Sequence, residues 1–152
     1  MPASPHSPVS TSEQPIHRLF DALQTAVFGK DVDAFVELFD ADVFAFDMWG
    51  QWSYQGISAW RKMAADWLGS LGTTRVVVEF ADIHVTTGSD LAFAHATVTF
   101  RAIDLDGQKL REMQNRLTWA LRYRPGGWKI VHQHTSAPVD PATGKLILKR
   151  PA

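Results

Sequence analysis

The sequence contains no cysteine, which excludes disulfides, thiolate zinc sites and thiol catalysis and suits a reducing compartment. It has no apolar run long enough to span a bilayer. The opening MPASPHSPVSTSEQ lacks the basic start and apolar stretch of a secretory signal. A cytoplasmic protein with no membrane partner is therefore expected. Nor is there an excess of charge of one sign: 15 Lys and Arg face 16 Asp and Glu, scattered along the chain, for a formal net charge of −1. Without a basic stripe, nucleic acid is not an expected partner. No glycine-rich phosphate loop, nucleophile elbow or paired His-Glu zinc motif occurs, so no cofactor is expected. No internal repeat and no dividing linker interrupts the 152 residues, a length that suits one domain with one core.

What the chain does have is aromatic mass. Six Trp and nine Phe in one small domain must fill a core or line a concave pocket and an interface. The Pro- and Ser-rich residues 1–14 read as a disordered tail. Pro15 suits a helix start, and Ile16, Leu19, Phe20, Leu23 and Val27 then recur at helical spacing, with Gly29 as a stop. Asp31 suits the N-cap of a second, shorter helix carrying Phe35, Val36 and Phe39. Val43 to Phe46 reads as a brief strand and WGQWSYQG as a loop. Trp60, Met63, Ala64, Trp67, Leu68 and Leu71 mark a third helix.

From Arg75 the pattern changes to β. Arg75 to Thr86, Leu91 to Leu105, Lys109 to Tyr123 and Trp128 to Ser136 are rich in Val, Phe, Thr and Trp, and turn sequences separate them. Three helices followed by an antiparallel meander predict an α+β domain over 15–139. The two longest strands require the sheet to curve or bulge. Residues 140–152 read as a tail or a short edge strand.

Segments FDADVFAFDMWGQWSYQG and GGWKIVHQHTSAP, in this order of elements, resemble the NTF2-like, SnoaL-like superfamily. That group includes ketosteroid isomerases, scytalone dehydratase, polyketide cyclases and the calcium/calmodulin-dependent kinase II association domain, whose branch the last strand resembles most. The resemblance implies a cone, with three N-terminal helices packed on a strongly bent antiparallel sheet around a deep hydrophobic pocket. It also implies a homodimer through the outer face of the sheet. Asp47 falls where the isomerases carry their catalytic base, with Gly50 and Gly56 in register. Leu23 stands where they carry a Tyr donor, and Asn115, Arg116 or Leu117 where they carry a protonated Asp. Both oxyanion donors are missing, which argues against steroid isomerisation.

The candidate site residues follow from both readings. Asp47 lies among Phe46, Met48, Trp49 and Trp52, an apolar setting that raises a carboxyl pKa toward the range of a useful base. His132 and His134 share one strand face, and by parity that face also holds Trp128 and Ile130. It should therefore be buried against the pocket or a partner subunit, and at least one imidazole is expected in the pocket as an acid–base group. A metal would need two further ligands, with His84 and His95 on neighbouring strands; the resemblance implies none. His95 has small neighbours that leave room for a ligand. Arg116 faces either the pocket, where it would pair with Asp47 or bind a carboxylate, or the outside with Arg122 and Arg124. Trp49, Trp52 and Tyr54 are candidates for the pocket mouth.

Two functions remain open at this level. One is a cofactor-independent isomerase, dehydratase or cyclase, a lyase-type enzyme acting by general acid–base chemistry on a small apolar or carboxylate-bearing molecule. The other is a non-catalytic ligand-binding or oligomerisation module, like a kinase association domain.

Overall fold

A computed structural model describes residues 9–152; residues 1–8 of the expected tail lie outside the described residues. The elements are α1 (Gln14–Phe28), α2 (Val32–Glu37), β1 (Phe39–Phe46), β2 (Tyr54–Gln55), α3 (Ile57–Gly69), β3 (Arg75–Thr87), β4 (Leu91–Ile103), β5 (Lys109–Arg124) and β6 (Gly127–Ser136). Asp31 caps α2, its Oδ1 accepting from the Ala34 amide at 3.0 Å. Gly56 has φ +84° at the entry to α3, a backbone setting that a side chain disfavours.

The six strands form one sheet in the order β2-β1-β6-β5-β4-β3. All pairings are antiparallel except β1 with β6, which is parallel. Register shifts between Ala81 and His84, at Ala102/Ile103 and at Ala120/Leu121 interrupt the ladders. Such bulges let strands of 13 to 16 residues bend instead of running flat. The concave side receives the helices, α1 against β3 and α3 against β1.

The core follows from the helical spacing. Phe20 of α1 stacks on Trp119 of β5 with ring centroids 4.1 Å apart and meets Phe80 edge-on at 4.8 Å. Trp60 of α3 is packed by Phe35, Phe39 and Tyr54. At the far end, Asp40 is buried and accepts from Arg124 Nε at 2.9 Å. That guanidinium holds the Asp40 carboxyl below the usual carboxylate range. After β6 the chain turns back on itself, with a bridge between Val139 and Leu146.

Candidate active site

Between α1, α3 and the concave sheet face lies a cavity of about 620 Å³. Its walls are largely apolar: Leu23, Val27, Trp60, Trp67, Phe100 and Leu117 all contribute. Burying so many rings without filling the cone follows from curvature, because a bent sheet diverges from the helices faster than side chains can follow.

Asp47 reaches this cavity because β1 ends at Phe46 and the chain turns inward. Thr135 Oγ1 donates to Asp47 Oδ1 at 3.0 Å and accepts from the Met48 amide at 3.2 Å. Burial pushes the Asp47 carboxyl above its usual range, opposed by the Thr135 hydroxyl and by the Trp49 and Met48 amides. Asn115 also lines the cavity, its Nδ2 donating to Met48 Sδ at 3.2 Å. Gln133 lines it too and is oriented by Trp119, whose Nε1 donates to Gln133 Oε1 at 2.9 Å. The polar part of the wall is thus a cluster around one carboxyl of raised proton affinity, a group suited to giving or taking a proton. Among the described residues no cluster of three His, Asp or Glu side chains could hold a metal ion.

The other expected site residues divide. Trp49 and Tyr54 line the cavity. Trp52, 93% exposed, does not. His132 and His134 are outside it, and the parity argument that placed them with Ile130 needs correction. Leu121 pairs with Ile130 but Ala120 pairs with His132, so Val131 is an extra residue. One inserted residue reverses the face of every side chain that follows. Ile130 is therefore followed on the concave side by Gln133 and Thr135, while the two imidazoles point to the convex side. There His132 Nδ1 donates to the Phe44 carbonyl at 2.6 Å, and both rings pack edge-on against Phe46. His95 is likewise exposed on the convex face, stacked on His84 with centroids 5.0 Å apart. Arg116 is exposed there as well and pairs with neither Asp47 nor the cavity.

Thr135, Gln133 and Arg111 were missed as cavity residues. For β5 a signal existed: counting back by twos from Leu121, Trp119 and Leu117 reaches Asn115, Met113 and Arg111, all of which line the cavity. For β6 none did, since nothing in the sequence marks Val131 as a bulge.

The SnoaL-like domain family matches residues 16–140. The chain belongs to that family. This SnoaL-like domain also resembles solved structures. An NTF2-like protein of unknown function from Pseudomonas putida KT2440 shares 27% identity over 95% of this chain and 99% of its own, with a TM-score of 0.82. An NTF2-like superfamily protein from Salmonella enterica serovar Typhimurium shares 22% identity over 89% and 96%, with a TM-score of 0.69. A Xanthomonas campestris chain, named provisionally as a calcium/calmodulin dependent protein kinase II association domain, shares 20% over 88% and 93%, with a TM-score of 0.70. At these lower identities the likeness shows the fold alone. No curated protein matches the sequence. Among the described residues no helix is long and apolar enough to cross a membrane.

Proposed function

We propose that this SnoaL-like domain takes a small, largely apolar molecule into its cone and sets Asp47 against it as an acid–base group. The observation that carries the reading is the single raised carboxyl in the wall of an open apolar cavity. A carboxyl retaining its proton closer to neutrality can donate it, and once ionised it is a stronger base than an exposed one. Isomerisation, dehydration and cyclisation each need such a proton transfer and no cofactor. Glu112 also lines the cavity but is held by Arg101 and Lys109, so the base would act with the amides of Asn115 and Gln133 as hydrogen-bonding groups.

The test is a thermal-shift screen of polycyclic ketones, phenols and other rings against the native chain and Ala102→Phe, which puts a ring into the cavity wall. Hits should raise the melting temperature of the native chain and leave the variant unmoved. Turnover of a hit, followed by product analysis, should disappear in Asp47→Asn. A flat response from the native chain across the panel overturns the reading.

A second reading concerns assembly. We infer that two copies pair through the convex sheet face. Its support is the cross-strand row His84, His95, Thr118, His134 and Phe46, with Phe93 and Phe44 in the next row. Phe93 is 50% exposed, and large rings in such rows are more often covered than left in water. We place the protein in the cytoplasm, a reading supported by its cysteine-free sequence and checked by cell fractionation.

A further inference from the structure

Around the cavity rim the charges are uneven. Arg111 stands opposite Ala102 on the concave face, and both line the cavity. A small partner across the strand leaves the long guanidinium side chain free to lean over the opening. Arg111 has no hydrogen-bond or ion-pair partner among the described residues. Its neighbour Glu112 is already shared by Arg101 at 3.5 Å and Lys109 at 3.4 Å, and Arg101 also holds Glu79 at 2.9 Å. Lys149 borders the adjoining hollow with Lys109 and Glu112, and it too lacks a partner among the described residues. Arg111 and Lys149 are thus two cations at the cavity and its adjoining hollow with no carboxylate partner among the described residues.

We propose that Arg111 is an anion seat at the rim of the cavity, and that the ligand is an apolar carboxylic acid whose body lies inside. The assignment rests on the reading of the cavity as a binding site and names its ligand class. A planar guanidinium matches a carboxylate with two parallel hydrogen bonds, and the apolar wall behind it receives only the uncharged body. The unpaired Arg111 and Lys149 attract an anion to this edge of the cavity. At the other end, Asp47 stands near Asn115, so a carboxylate seated at Arg111 is held away from the Asp47 carboxyl. Four residue steps separate Arg111 from Asn115, roughly 13 Å along β5, so a body of two fused or linked rings spans the interval. The carboxylate interaction expected of Arg116 is in this way taken over by a residue of the opposite parity.

The experiment uses three matched pairs, each a carboxylic acid and its uncharged primary amide, on biphenyl, naphthyl and linear decanoyl bodies. Binding to the full chain is measured by calorimetry at low and high salt. The acids should bind about tenfold more tightly than their amides, the expected worth of one charge-assisted contact at a partly exposed site. Arg111→Met should remove that preference, bringing each acid to the affinity of its amide or below, and Arg111→Lys should restore part of it. The preference should shrink in high salt. Equal binding of acid and amide, or a preference that survives in Arg111→Met, overturns the anion seat and leaves the cavity reading standing. Failure of every acid and every amide to bind overturns both. Arg111 is exposed, so its variants are expected to fold, and an unchanged melting temperature without ligand verifies this.

Discussion

Thr135 donates its hydroxyl hydrogen to Asp47 at 3.0 Å while receiving the Met48 amide, so one side chain ties the candidate acid to its own loop. Removing the hydroxyl in Thr135→Val leaves a buried amide and a half-buried carboxyl each short of one partner. The expected cost is about 1–2 kcal/mol in urea unfolding. The Asp47 pKa should rise further, because the lost hydrogen bond favours the ionised form. A carboxyl titration followed by NMR checks the direction, and an unchanged or lower pKa would contradict it.

Asp47 should also limit stability at neutral pH. Its native pKa lies above the unfolded value of 3.8, so between those two values the native state binds more protons. Stability therefore falls as pH rises through that window and stays lower above it. Asp47→Asn should melt at a higher temperature than the native chain at pH 7, and the advantage should vanish near pH 3. A lower melting temperature for the variant at pH 7 would mean that the hydrogen bonds to the carboxylate outweigh its burial.

The Asp40–Arg124 pair carries the opposite sign. Asp40 has its pKa depressed below 3.8, chiefly by the Arg124 hydrogen bond, so its contribution is present above that pH and is lost as pH falls below it. Asp40→Ala should cost about 1–3 kcal/mol at pH 7, since it leaves the guanidinium without its acceptor. The difference between native and variant should narrow in acid, as measured by urea midpoints at pH 7 and pH 2.5.

The C-terminal segment is tied to β5 at one edge of the cavity. Gln114 donates its amide to the Leu148 carbonyl at 2.7 Å, the Arg150 amide donates to Gln114 Oε1 at 2.6 Å, and Arg150 pairs with Asp82. Leu148 itself lines the cavity. A chain ending at Leu146 should release 1-anilinonaphthalene-8-sulfonate about tenfold faster in stopped flow, in line with the loss of Leu148 from the cavity wall and of two hydrogen bonds that hold the segment against β5. Equal release rates would show that the segment is no barrier.

If the convex face joins two copies, Phe93→Glu combined with His134→Glu should yield monomers in sedimentation experiments where the native chain sediments as a dimer. The melting temperature of a concentrated sample should fall with it. A native chain that remains monomeric at high concentration removes the assembly reading.

Much of this was legible in the residues. Helical spacing located α1 and α3, Asp31 announced its own cap, and turn sequences divided the four long strands to within a residue or two. The resemblance brought Asp47 to attention, and that carboxyl does line the cavity. The β6 histidines show where such reading stops. A period-two argument holds only while the ladder is unbroken, and a bulge is decided by how the neighbouring strands twist and pack. The parallel pairing of β1 with β6 is equally invisible locally, because it joins residues some ninety positions apart.

The sequence by itself determined an α+β chain with a Trp-rich third helix, a curved run of long strands and a carboxyl at the end of the first strand, because these depend on local spacing and turn chemistry. Only the tertiary structure decided that the cone stays hollow, that Thr135 and Arg111 face its interior and that both histidines of β6 face away. The physical reason is that the face a strand residue occupies is set by register, and register is a property of paired strands and their bulges.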